Sequence, residues 1–260
     1  MPAPTYDGSY SFTNGWGTLE TTSSTTTATF VVNPNDLIVV FAGQANYDPS
    51  VGVDSVPSIS DNYNLQWSLV SVNQNNVGWC PLLCWSAVNS YSTSITITIK
   101  LTLFIVQSTP VKFGGKAYKF SYADGIGFTA NYLENNAPDG SYDLAITPYR
   151  GSSLFIFYVL DWDTFDLLDR TYGTNNGFSP TEIDYALESN YSLAAALYHD
   201  TVDGNLSFLT AQTPRVTAMA VEILGFNFGA APGILPPLPN TGERCVSNIS
   251  SITNISSITI

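Results

Sequence analysis

The sequence predicts an all-β fold, an antiparallel β-sandwich with jelly-roll-like connections, and three observations carry that expectation. Short runs rich in Val, Ile, Thr, Phe and Tyr are separated throughout by clusters of Gly, Pro, Asn and Asp. Charged residues are only 11 % of the chain, against about 25 % in ordinary domains, so little material exists for long solvated helices. The second half of the chain also repeats the pattern of the first. With 260 residues the chain can bury a sizeable core.

Taken in order, strand-like runs occupy 27–32 (TATFVV), 36–43 (DLIVVFAG), 65–72 (LQWSLVSV), 94–106 (SITITIKLTLFIV) and 116–123 (KAYKFSYA). Four more follow at 153–160 (SLFIFYVL), 191–199 (YSLAAALYH), 206–213 (LSFLTAQT) and 215–224 (RVTAMAVEIL). The best helix signal is SPTEIDYALESN at 179–190, where Ser179 is a candidate cap and Pro180 suits the first helical position. A loop with one turn is the alternative there. Residues 1–17 read as an N-terminal segment, 18–228 as the sandwich, 229–242 as a Pro-rich spacer and 243–260 as a C-terminal arm.

The halves answer one another run by run. NPNDLIVVFAG corresponds to RGSSLFIFYVLD, WCPLLCWSAVNS to YSLAAALYHDTV, SITITIK to NLSFLTAQ, and KAYKFSYADG to VTAMAVEILGF. The uninterrupted apolar runs 37–42 and 154–160 suit central strands covered on both faces, whereas SITITIK alternates as a strand with one buried face does. A lone half would leave its central runs uncovered, so both halves are expected to build one core, with equivalent strands side by side.

VNPNDLIVVFAG, PSISDNYNLQWSLVSV, CPLLCWSA, SITITIK and KAYKFSYADG together resemble the β-sandwich domains of phage tail and virion proteins and of prokaryotic surface proteins. In those, a "gDlivv" strand leads to an "isDsxgNxW" turn and strand. The likeness covers about residues 18 to 225, and its motifs encode turns and core positions. It implies a structural or adhesive module with no active site carried over, and the tail departs from it.

Charge and composition exclude several classes. The net charge of −13 reflects scarce Lys and Arg (8) against 21 acids, so phosphate backbones would be repelled and nucleic-acid binding is not expected. No apolar stretch follows MPAPTYDGSYSFTNGWG, so an export signal of ordinary form is not expected. The longest apolar stretches are interrupted by Lys100 and Glu222, so no membrane insertion is expected.

Candidate chemistry is sparse, and no enzyme and no cofactor are expected. The lone histidine, His199, lies beside Asp200 without a Gly-x-Ser-x-Gly elbow and reads as a strand-end residue. Asp161, Asp163, Asp166 and Asp169 in DWDTFDLLDR form the densest acidic cluster, with Asp161, Asp163 and Asp166 its calcium candidates. It reads as a solvated loop, with a Ca²⁺ loop as the alternative and a glycosidase-type carboxylate pair behind that. On an extended strand Cys80 and Cys84 would lie about 13 Å apart, so a bridge between them needs Pro81 to bend the chain. Buried free thiols and a tail bridge from Cys245 are the other readings. Sequons at Asn190, Asn205, Asn248 and Asn254 permit glycosylation. Exposed Tyr and Trp could stack on sugars, so a glycan is a possible partner.

The tail contains LPNTG at 238–242, the pentapeptide that sortases cut, yet no long apolar segment or basic tail follows. PGILPPLPNTG reads instead as a stiff spacer. Beyond it, Val246, Ile249, Ile252, Ile255 and Ile258 recur every three residues, with Ile260 last, and SNISSI is followed by TNISSI. A disordered tail is one alternative. The expectation adopted is an assembly arm that adds as a strand to a neighbouring subunit or joins other arms about an axis. The chain thus reads as a structural subunit of a virion (capsid, vertex, turret or tail), in a homo-oligomer with other structural subunits. The alternatives are an exported surface filament or adhesin subunit at the extracellular surface, and a carbohydrate-binding module.

Overall fold

Two runs without a polar residue, 37–42 and 154–160, set the architecture, because a strand apolar at every position must be covered on both faces. The structure, a computed structural model, describes residues 3–13, 19–20, 24–46, 57–73, 82–103, 111–135, 141–149, 152–161, 170–173, 175, 177, 179–188, 191–199, 203–209 and 215–225. The first half holds β1 (Thr5–Ser11), β2 (Leu19–Glu20), β3 (Ser24–Val32), β4 (Leu37–Asn46), β5 (Ser58–Asp61), β6 (Ser68–Asn73), β7 (Leu82–Val88), β8 (Ile95–Leu103) and β9 (Val111–Ser121). The second holds β10 (Ala123–Asn135), β11 (Ser141–Ile146), β12 (Leu154–Asp161), β13 (Thr171–Tyr172), β14 (Thr181–Glu188), β15 (Tyr191–His199), β16 (Gly204–Leu209) and β17 (Arg215–Gly225). All pairings are antiparallel, and no helix occurs among the described residues.

Each half folds into a large and a small sheet in the same order. The first has β1-β9-β4-β7-β6, with β2 also on β9, over β3-β8-β5; the second has β10-β17-β12-β15-β14 over β11-β16-β13. Registers match as well. Leu37 pairs with Phe120 and Val88, while Leu154 pairs with Ile223 and His199. The β-bulges also coincide: β6 shifts between Leu69 and Ser71 against Trp85 and Cys84, and β14 between Glu182 and Asp184 against Ala196 and Ala195. All four correspondences read from the sequence fall on equivalent strands.

The two large sheets pack face to face, giving four layers. Along β4, Leu37, Val39 and Phe41 enter a middle core while Ile38, Val40 and Ala42 enter the first half's own core under β3-β8-β5. Along β12, Leu154, Ile156, Tyr158 and Leu160 enter the middle core while Phe155, Phe157 and Val159 enter the second half's own core. SITITIK lies in β8 of an outer sheet, with Ile95, Ile97, Ile99, Leu101 and Leu103 buried on one face only.

Equivalent strands therefore do not lie side by side, as the sequence reading expects, and among the described residues the buried side chains form three clusters rather than one core. The reason is hydrogen bonding. β4 is flanked by β7 and β9, and β12 by β15 and β17, so neither central strand leaves an edge for the other half. What each half leaves uncovered is an apolar face. At its centre Phe41 stacks on Tyr158, the residue at its own equivalent position, with ring centroids 4.6 Å apart and planes 2° from parallel. A residue touching its own counterpart marks an isologous contact about a pseudo-twofold axis. Around it, Tyr6 and its counterpart Ile126, and Val70 and its counterpart Ile183, rim the same core.

Two other expectations change. The N-terminal segment set apart as residues 1–17 supplies β1, whose Tyr6 and Tyr10 pair in register with Phe120 and Ala117. The helix signal at 179–190 becomes β14, because Ile183 and Ala186 cover the middle core and Tyr185 the second half's core, a two-sided demand that an edge strand on β15 meets.

Phe41→Ala is expected to lower stability by about 3 to 5 kcal/mol while leaving one cooperative transition, and denaturant unfolding measures both. Thr29→Ala on the outer face of β3 should change it by no more than about 0.5 kcal/mol.

Candidate functional site

The surface best defined by sequence is the open face of β3-β8-β5 and the turn that follows β5. Alternation aims Thr25, Thr27, Thr29 and Val31 of β3 outward, beside Thr102, Lys100, Thr98 and Thr96 of β8 and Ser58 and Ser60 of β5. Hydroxyls meet across the strands, Thr29 Oγ1 with Thr98 Oγ1 at 3.0 Å and Thr25 Oγ1 with Thr102 Oγ1 at 3.4 Å. The result is a ladder of small hydroxyl side chains with Lys100 and Val31 among them.

The DNYNLQW turn beside it is held by one carboxylate. Asp61 accepts from the Tyr63 N–H at 2.6 Å, the Leu65 N–H at 3.1 Å and the Trp67 indole N–H at 2.7 Å. Asn64 takes the left-handed conformation, φ 58°, at the place where the resembling motif has glycine. Asn62 continues the ladder past β5, accepting from the Thr98 N–H at 2.8 Å and donating to the Thr96 carbonyl. Tyr91 donates its hydroxyl to the Tyr63 carbonyl at 2.9 Å, and the two rings meet edge to face, 71° apart, so they present no single flat platform.

One edge of this sheet is partly occupied. The Thr13 N–H donates to the Thr27 carbonyl at 2.7 Å, the Thr27 N–H donates to Thr13 Oγ1 at 3.3 Å, and the Lys119 ammonium donates to the Val31 carbonyl at 3.4 Å. These contacts occupy the outward backbone groups of Thr27 and the carbonyl of Val31, part of what another strand would need.

Buried charges serve the fold. Glu222 of β17, fully buried, accepts from Ser153 Oγ at 2.5 Å, from the Tyr149 N–H at 2.9 and 3.0 Å and from the Phe128 N–H at 2.7 Å. It fastens the bulge of β10 to the start of β12, and a Cβ on Gly127 would lie 2.2 Å from its Oε2, which is why glycine stands there. At the equivalent places in the first half stand Lys119 for Glu222 and Asp36 for Ser153, paired at 3.7 Å. Asp36 also accepts the Asn33 N–H at 2.8 Å, and burial pushes its carboxyl above the ordinary range. The same corner is closed twice with opposite polarity.

The predicted site residues are placed only in part. Asp161 ends β12, while Asp163 and Asp166 lie outside the described residues, as do Val246, Ile249, Ile252, Ile255, Ile258 and Ile260. Among the described residues no group of three His, Cys, Asp or Glu side chains is placed to hold a metal. His199 ends β15 and is exposed. Cys84 is a free, buried thiol whose pKa desolvation raises well above the usual value, while Cys80 and Cys245 lie outside the described residues. Asn205 is exposed on β16, and the other three sequons fall outside the description. Among the described residues no helix is long and apolar enough to cross a membrane. The roles of Asp61, Asn62 and Glu222 escape the sequence reading, although the aspartate of the "isDsxgNxW" pattern is a signal for the first.

No protein-family model matches the chain, and neither a curated protein nor a solved structure was found to match it.

Glu222→Gln replaces one acceptor oxygen by an NH₂ group that faces backbone donors. It is expected to destabilise the protein by about 1 to 3 kcal/mol in denaturant unfolding. Unchanged stability would show that the carboxylate does not hold the corner.

Proposed function

We propose that the chain is a structural subunit of a virion, in the shell, at a vertex or turret or in the tail, and that it assembles through contacts of its sandwiches and through the arm at 243–260. The observation that supports this best is the outer face of β3-β8-β5: mostly short Thr and Ser side chains with exposed Val31 and Lys100 among them, a surface over which another subunit could pack closely. Among the described residues each of the four sheets also ends in two edge strands, and strand addition to such an edge would satisfy the backbone of an extended arm.

Side-chain burial alone does not hold such an arm. The six apolar residues Val246, Ile249, Ile252, Ile255, Ile258 and Ile260 would each contribute about 1.5 to 3 kcal/mol if fully buried. Ordering opposes this by about 1 to 2 kcal/mol per residue. Backbone pairing with an exposed sheet edge must supply the difference. A carbohydrate-binding role finds less support, because the Tyr63 and Tyr91 rings stand edge to face.

Removal of residues 243–260 should leave the sandwiches folded, with an unchanged far-UV spectrum, and reduce the assembled fraction measured by light scattering. Ile252→Asp combined with Ile255→Asp should do the same. Assembly of the truncated chain at the parental level would contradict this role for the arm.

A further inference from the structure

The two halves meet along two seams that are equivalent under the pseudo-twofold, and the chain closes them with different chemistry. At one, Ser71 of β6 and Asn131 of β10 exchange neutral hydrogen bonds at 2.9 and 3.2 Å. Register places Asp184 of β14 at the position of Ser71, and Ser11 of β1 at that of Asn131. Between these two stands Lys116 of β9, its Nζ 2.8 Å from Asp184 Oδ2 and 3.0 Å from Ser11 Oγ. The lysine and aspartate side chains are only 12 % and 10 % exposed. The Tyr118 hydroxyl lies 3.4 Å from the same Oδ2, and Tyr6 lies close by. The first seam shows that neutral groups are enough to close the joint, so its geometry alone does not call for an amine and a carboxyl out of water.

We propose that Lys116 and Asp184 are the reacting ends of an autocatalytic cross-link, an amide bond from Lys116 Nζ to Asp184 Cγ that joins the two halves covalently. The bond requires one proton of the ammonium to pass to the carboxylate it touches, so that an amine faces a carboxylic acid. The amine attacks Cγ, a C–N bond forms, the bond from Cγ to Oδ2 breaks, and Oδ2 departs as water. Tyr118 gives a proton to the departing oxygen and regains one from the nitrogen. Burial raises its phenol well above the ordinary value, which keeps it a neutral donor. Nothing is oxidised or reduced and no co-reactant is needed. The fold supplies proximity, which is worth many orders of magnitude for a fixed pair.

The test is the intact mass of the full chain, denatured before measurement, followed by peptide mapping. The expected mass is lower than the sequence mass by one water, with a branched peptide joining the segments of Lys116 and Asp184. Lys116→Met and Asp184→Ala should each restore the full mass. In Tyr118→Phe, newly folded chains should lose water at least about a hundredfold more slowly. A folded parent chain that keeps its full mass on prolonged incubation overturns the cross-link. An unchanged rate in Tyr118→Phe overturns the part given to the tyrosine.

Discussion

The structure depends on one constraint: a strand that is apolar at every position must find cover on two faces, and a single two-sheet sandwich covers only one. β4 and β12 carry such runs, 37–42 and 154–160, and each is held at the centre of its own large sheet by neighbours on both edges. With their edges already hydrogen-bonded, they can satisfy the remaining face only by meeting an equally apolar sheet. The stack of Phe41 on Tyr158 at the centre of that meeting, and the matched bulges at Val70 and Ile183 on its rim, are the contacts expected when two copies of one module turn the same surface towards each other.

Similarity between the halves extends beyond the apolar pattern to corners closed by different atoms. Lys119 with Asp36, and Glu222 with Ser153, occupy the same register positions and join the same strands. What the fold requires there is a buried polar bridge, and either sign of charge meets it once the donors and acceptors are paired. The seams follow the same rule with a different outcome. Ser71 and Asn131 make a neutral joint, while Lys116 and Asp184 close theirs with a largely buried ion pair.

Much of this was legible in the sequence wherever a residue type and its burial speak with one voice. The runs 37–42 and 154–160 announce central strands, SITITIK announces a one-sided strand, and the four paired runs mark equivalent elements. Illegible was whatever depends on partners distant in sequence. β10 carries two glycines and an acid in its first half and is a strand because β17 lies beside it. The stretch 179–190 has helical end signals, yet as β14 it sets Ile183 and Tyr185 towards opposite cores. Asp184 gave no signal at all, since only the tertiary meeting of β9 and β14 gives it Lys116. The aspartate of DNYNLQW was legible as part of a turn, but its three donors were not. The arm and the cluster at Asp163 and Asp166 belong to stretches that the structure does not describe.

The central claim is that the two halves are equivalent modules whose stability resides in the core they share. Native-state amide hydrogen exchange tests it most directly, because it reports an opening free energy strand by strand. The account predicts that the core amides of β4 and β12 exchange only through one global opening, with the same free energy in both halves. Exchange of one half's central strand at a distinctly lower free energy, while the other stays protected, would contradict it.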